Sequence, residues 1–259
     1  MNNKNFAIRL KQRLIIEFQK QDRSGVYGYT QRSMAYNSNR IEGSTLTEKQ
    51  TASMFETGTL YTDEPDVIFR AKDIEEMNGH FKMFNYVMKH MDEPLSEDII
   101  KNMHKNLKEG VFEDRANGYA IGDWKKRANR VSDIITALPQ EVPERMRELV
   151  QEYRNKEVID LTDIAEFHAK FENIHPFQDG NGRVGRMVIL KQCLDNNIVP
   201  VIIRDVNKAE YSRCLNKAQH HQDYSDLMAY FQKEQEYYQE NTIQMIFDYD
   251  ELQNDESFS

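Results

Sequence analysis

Ile174-His175-Pro176-Phe177-Gln178-Asp179-Gly180-Asn181-Gly182-Arg183-Val184-Gly185-Arg186 separates two segments of helical pattern, and the rest of the chain is read outward from it. Upstream, Leu161, Ile164, Phe167, Phe171 and Ile174 recur at helical spacing, which predicts an amphipathic helix with one face in a core. Downstream, Met187, Val188, Ile189, Leu190 and Leu194 leave almost no polar face, the pattern of a helix buried in the middle of a domain. The intervening loop is therefore expected on rigid, buried supports.

The loop's own residues suit a bound polyphosphate. Gly180 and Gly182 can take positive φ, and Asn181 tolerates it, so successive N–H groups can point into one concavity where a helix begins. Arg183 and Arg186 share one face of that helix's first turns, where the dipole disfavours a cation, so an anion is expected to balance them. Asp179 fits such a positive site once a divalent cation is added, because Mg²⁺ takes one or two carboxylates together with phosphate oxygens. His175 is the side chain able to act as a general base near neutral pH.

His-Pro-Phe-x-Asp-Gly-Asn-Gly-Arg-x-x-Arg, residues 175–186, resembles the signature of the Fic family, matched at every position. The resemblance implies an all-α Fic fold, a helical bundle with a small β-hairpin flap over the active site. It implies transfer of AMP from ATP to a hydroxyl of a protein, with Mg²⁺ as cofactor and pyrophosphate leaving. Gly180, Asn181 and Gly182 would hold the α- and β-phosphates, Asp179 the Mg²⁺, and Arg183 the charge on the departing pyrophosphate. His175 would take the proton of a Ser, Thr or Tyr hydroxyl, and Phe177 would anchor the loop.

Ser33 to Glu42 can form a helix ending at Gly43, with Thr45-Leu46-Thr47-Glu48 as a capping box for the next one. Glu42 has the wrong sign for a helix's last turn, which calls for a cationic partner, although the residue alone also reads as a solvated surface carboxylate. Ser38-Asn39-Arg40-Ile41-Glu42-Gly43 resembles the Ser/Thr-x-x-x-Glu-Gly/Asn inhibitory motif of Fic proteins with an N-terminal inhibitory helix. By that resemblance Glu42 pairs with Arg186 in a bidentate ion pair, Ser38 supports the contact, and Arg186 is kept from the γ-phosphate.

At 259 residues, with 39% hydrophobic and 30% charged, the chain can bury one substantial core. No apolar run reaches the length of a membrane span and residues 1–20 lack a signal-peptide core, so a cytoplasmic protein is expected, off the membrane. A formal net charge of -9 argues against binding nucleic acid. Cys193 and Cys214 sit in apolar helical patterns and are expected as reduced, buried thiols. His220-His221 with Asp223 is a poor metal site, since adjacent helical side chains diverge by ~100°.

The organisation expected is an N-terminal helical region at 1–45 with the inhibitory helix at about 33–43, then a core at 46–235, then an acidic helix or tail at 236–259 whose end, from Asp248, frays. The core would contain the flap, at about 122–139, and the catalytic loop, 175–186. Ile74, Met77, Phe81, Phe84 and Val87 are core positions of one helix, and His104 in the next reads as a packed or hydrogen-bonded histidine. Glycines at 110, 118 and 122 with the β-prone Asn129-Arg130-Val131-Ser132 and Ile134-Ile135-Thr136 suggest a loop and hairpin. The resemblance makes this the flap that aligns a target segment by main-chain pairing, with Val131 and Ser132 near the nucleotide and Lys125 where many members carry Arg. In the family's adenine pocket, a Tyr-Tyr pair and a later Asn are replaced by Tyr211, Ser212 and Gln219. Partners implied are a protein substrate docked on the flap and a second copy of the chain in a homodimer. De-AMPylation, or transfer from another phosphate-containing donor, would use the same residues, and a silent interaction protein has no physical need for both His175 and Asp179.

Overall fold

The structure is a computed structural model that describes residues 3–62, 68–131 and 134–256. Among these the chain is all-α apart from one two-residue ladder. The helices are α1 (Asn3–Lys20), α2 (Val26–Ile41), α3 (Glu48–Thr57), α4 (Ala71–Lys89), α5 (Glu97–Lys108), α6 (Phe112–Ala116), α7 (Val142–Arg154), α8 (Leu161–Ile174), α9 (Asn181–Asp195), α10 (Lys208–His221) and α11 (Ser225–Glu256). Strands β1 (Arg130–Val131) and β2 (Ile134–Ile135) pair antiparallel, Arg130 opposite Ile135 and Val131 opposite Ile134.

α9 is the central helix. Every residue from Arg183 to Leu194 is buried, and α2, α4, α5 and α8 all pack on it. Its apolar side chains, with Phe167, Phe171 and Phe177, join the main core, to which α1 adds Phe6, Leu10 and Leu14 and α5 adds Ile100, Met103 and Leu107. A second cluster joins Ile189 and Cys193 to Tyr211, Leu227 and Phe231 of α10 and α11. Burial of side chains this large contributes roughly 1.5–3 kcal/mol each, so the site rests on well-anchored supports. Cys193 and Cys214 are buried and free, 21 positions apart on different helices. No helix among the described residues is long and apolar enough to cross a membrane.

Three expectations about elements need correction. The capping box lies two residues later than expected: Thr47 accepts from Gln50 N–H and Gln50 reaches back to Thr47 N–H. Thr45 is drawn away because its N–H and hydroxyl both donate to Asp73 Oδ2, at 2.8 and 2.6 Å. Within the 110–140 stretch, residues 112–116 form α6, too short to show a period. The acidic end is helical through Glu256, carried on by the long α11 instead of fraying at Asp248.

Candidate active site

Asp160 begins α8 by accepting from the N–H groups of Thr162 and Asp163, a reciprocal box with Asp163. The helix ends at His175, which is left-handed (φ 52°) with its N–H bonded to Phe171 O at 2.9 Å. A residue with a Cβ pays ~1 kcal/mol or more in that region, so His175 is held there by what surrounds it. The turn is fixed by Phe177, fully buried, its ring stacked on His104 at 3.9 Å between centroids. His104 Nδ1 accepts from Gly122 N–H, which leaves Nε2 as the donor to Asp179 O at 3.1 Å. The histidine is thus a clamp on the loop. Asn181 closes the turn, its Oδ1 accepting from Phe177 N–H (2.7 Å) and its Nδ2 donating to Phe177 O (2.8 Å).

Of the nest residues only Gly180 takes positive φ, at 85°, as the residue before α9. Asn181 and Gly182 are already helical. The concavity is therefore the first turn of α9 itself, whose leading N–H groups have no intrahelical acceptor and carry the positive end of the dipole. Gly182 has another reason to lack a side chain, because a Cβ there would overlap Glu42 Oε1.

The two arginines find their counter-charges inside the protein, where an external anion was expected. Arg183 is buried, and its Nη1 lies 2.5 Å from Glu76 Oε2 and its Nη2 3.5 Å from Asp179 Oδ2. Burial opposes its charge, but Glu76 and Asp179 more than restore it. Arg186 is also buried. Its Nε donates to Ser38 Oγ (2.8 Å), and its Nη2 donates to Ser38 O (3.1 Å) and Glu42 Oε1 (2.6 Å). The ion pair is therefore single-pronged, not bidentate: Ser38, one helical turn before Glu42, takes Nε and shares Nη2 with the carboxylate. Burial raises the Glu42 carboxyl, yet Arg186 and Arg183 hold it below its ordinary range.

Glu42 reaches this position because α2 ends in a Schellman motif, Gly43 (φ 91°) donating to Arg40 O and Ser44 to Asn39 O, each at 3.0 Å. Asn39 of the same helix accepts from Arg183 Nη1 at 3.4 Å. One end of one helix thus touches both arginines.

Asp179 Oδ2 accepts from Lys108 Nζ at 2.7 Å, and its side chain is 37% exposed. Burial raises it, but Arg183 and Lys108 hold it far below the usual carboxylate range, so it is ionised at any pH of interest. No cluster of three or more His, Cys, Asp or Glu able to hold a metal exists among the described residues. A permanently charged, part-exposed carboxylate fits a cation that completes its shell with phosphate oxygens and water, which is the habit of Mg²⁺.

His175 and Glu172 face each other with Nδ1 and Oε2 3.7 Å apart. Burial, with Lys125 adding to it, lowers His175 to about 4. Burial also pushes Glu172 up to about 8, against the pull of Arg186. Neutral His175 suits a proton acceptor, and its basicity is weaker than the unshifted value expected from sequence. Lys125 is buried, donates to Asn129 Oδ1 (2.7 Å) and Thr136 Oγ1 (3.0 Å), and ties the base of the β1–β2 segment to the loop through its N–H on Pro176 O (2.8 Å).

Tyr211 and Gln219 are not brought together. Tyr211 is buried and shares a 2.6 Å hydrogen bond with His168 Nε2, which fixes it in the core beside α8. Gln219, two turns on, lines a separate cavity of about 380 Å³ with Glu166, Asn173 and Tyr224. Of Val131 only the backbone is described, and Ser132 lies outside the described residues. Sequence reasoning missed Glu76, Lys108, Glu172 and Asn39. Glu76 left a trace, as a carboxylate one position before the core residue Met77; Lys108, at the end of its helix, left none.

Residues 94–193 match the model of the Fic/DOC family. The chain is 27% identical over 188 residues to the protein adenylyltransferase Fic of Nematostella vectensis, a match covering 71% of this chain and 42% of that protein. It is 30% identical over 159 residues to a probable protein adenylyltransferase of Aquifex aeolicus, covering 61% and 48%. The matches thus span less than half the length of these relatives. Among solved structures, a Fic-domain-containing signaling protein from Bacteroides thetaiotaomicron superposes with a TM-score of 0.72 at 21% identity, over 95% of this chain and 97% of that one. A fragment of Fic-1 from C. elegans gives 0.68 at 22% identity, over 93% and 72%. At such identities these likenesses establish the fold.

Proposed function

Because the chain belongs to the Fic/DOC family, we propose that it is a self-inhibited protein adenylyltransferase, moving AMP from ATP to a Ser, Thr or Tyr hydroxyl of a protein. The observation that carries the self-inhibition is the 2.6 Å contact between Glu42 and Arg186. The first turn of α9 offers N–H groups to the α- and β-phosphates, and Mg²⁺ at Asp179 would lower the charge on them. His175, neutral, turned out of its helix and beside that turn, accepts the proton of the attacking hydroxyl as it approaches the α-phosphorus in line. Arg183 is the fixed positive charge at the site that opposes the build-up on pyrophosphate.

Arg186 is the group left for the γ-phosphate, and Glu42 occupies it. Removing a charge-assisted hydrogen bond costs ~1.5–3 kcal/mol, reduced here by the screening that Glu42's one-third exposure permits. That supports inhibition of roughly tenfold or more, since 1.4 kcal/mol is a factor of ten. The β1–β2 edge, tied to the loop through Lys125, is the place for a target segment to pair.

The test is labelled-AMP incorporation and intact mass for wild type, Glu42→Gly and Glu42→Gly/His175→Ala, each with ATP and Mg²⁺. Modification of the protein itself or a lysate protein by Glu42→Gly alone is the expected result. Equal inactivity of all three would sink the reading, and AMP-modified proteins would then be offered as substrate.

A further inference from the structure

No step above uses Lys108, which is buried among acids. Its Nζ lies 2.6 Å from Glu76 Oε1, 2.7 Å from Asp114 Oδ2 and 2.7 Å from Asp179 Oδ2, and its side chain is 1% exposed. Four elements meet there: α5 supplies the lysine, α4 Glu76, α6 Asp114 and the catalytic loop Asp179. Arg183 faces the same group from α9, 2.5 Å from Glu76. Lys72, paired with Glu113 at 3.2 Å, adds a weaker attraction to Asp179. Three carboxylates thus surround one ammonium, with a guanidinium shared between two of them.

We propose that Lys108 is a positioning residue that serves as the internal counter-ion of Asp179 and makes divalent-cation binding there conditional on a bound nucleotide polyphosphate. The proposal rests on the reading of Asp179 as the carboxylate that holds Mg²⁺. With Oδ2 already paired with the Lys108 ammonium 2.7 Å away and the Arg183 guanidinium 3.5 Å away, an arriving Mg²⁺ meets a carboxylate whose charge is partly offset and two like charges behind it. It has no reason to shed its tightly held water there. A polyphosphate in the first turn of α9 reverses that balance, because its oxygens supply the negative charge and most of the ligands. Metal and nucleotide are then coupled, each raising the other's affinity by the same factor.

Without the ammonium, Glu76, Asp114 and Asp179 would leave three hard oxygen donors around one point with only Arg183 to balance them, a set that favours a divalent cation more than the wild-type arrangement does. Loss of Lys108 should therefore create metal binding, which damage to the fold would not do.

The experiment follows Mn²⁺ by electron paramagnetic resonance on the full chain, with and without a non-hydrolysable ATP analogue, and counts only the Mn²⁺ bound beyond what the same concentration of analogue holds without protein. Wild type is expected to bind Mn²⁺ roughly tenfold or more tightly with the analogue. Lys108→Met is expected to bind it without the analogue, roughly tenfold or more tightly than wild type does. Wild-type binding that ignores the analogue, or a folded Lys108→Met that still requires it, overturns the proposal. If Lys108→Met does not fold, Lys108→Met/Asp114→Asn removes one charge of each sign, leaves Glu76 and Asp179 with Arg183 alone as counter-charge, and faces the same two outcomes. Asp179→Ala separates the failures: analogue-dependent Mn²⁺ binding that survives it removes the metal assignment of Asp179 itself.

Discussion

His175 and Ser38 make the sharpest claims at the scale of single residues. A base whose value burial has lowered to about 4 is unprotonated throughout the neutral range and gains a proton only as pH falls toward that value. The rate of AMP transfer by Glu42→Gly should therefore show no acid limb between pH 6 and 8, and should fall on the acid side only well below pH 6. A pH profile of kcat/KM with an acid limb near the ordinary histidine value would contradict the burial argument. Ser38→Ala keeps the Glu42 contact but takes the acceptor from Arg186 Nε, worth ~1.5–3 kcal/mol as a bond to a charged group. It should raise the basal rate, by less than Glu42→Gly does. At this scale the Glu42–Arg186 pairing came from the resemblance of residues 38–43 to an inhibitory motif, while the loop was legible because glycine, aspartate and two arginines stand at fixed offsets in one continuous stretch. Lys108 and Glu76 were not: a buried ion pair between α5 and α4 is a property of packing, and each residue alone looks like an ordinary charged position of an amphipathic helix.

Helix periods were readable because the long elements carry dense apolar patterns, as in α8 and α9, and turn chemistry was readable at Gly43, which ends α2, though not at Gly58, which ends α3. The short pieces were not, since five residues of α6 cannot display a 3.6-residue repeat, and the α3 cap was misplaced because Thr45 and Thr47 are equivalent until Asp73 claims one of them. The α8–α9 contact carries a prediction of its own. A Cβ on Gly185 would stand 2.6 Å from Glu172 Oε1 and 3.1 Å from His168 Cε1, inside the packed seam. Gly185→Ala should then cost ~1–3 kcal/mol, as overpacking does, and lower the melting temperature. An unchanged melting temperature would mean that the seam can open without strain.

Over the whole molecule, stability should depend on pH through Glu172, which faces Arg186, Glu42, His168, His175 and Tyr211 across α8, α9, α2 and α10. Its carboxyl ordinarily titrates near 4.5 and is pushed to about 8 in the fold. Between those values the folded chain keeps a proton that the unfolded chain releases, so this contribution to stability is lost as pH rises. Glu172→Gln keeps the shape without the charge. Its melting temperature should match wild type near pH 5 and exceed it increasingly toward pH 8, and a constant offset would refute the raised value. The all-α architecture was implied by the resemblance and agrees with the helical periods read along the chain, whereas the convergence of α2, α4, α5 and α8 on one helix was not legible, because nothing local in a sequence says which stripes meet. That convergence joins residues 144 positions apart in the chain, Glu42 and Arg186. Translation makes them in a fixed order: the carboxylate emerges from the ribosome well before the histidine and arginines it sits beside. On the reading proposed here, a newly made chain carries its restraint from the moment its active site first closes, and at no stage of synthesis does the cell hold an unrestrained copy.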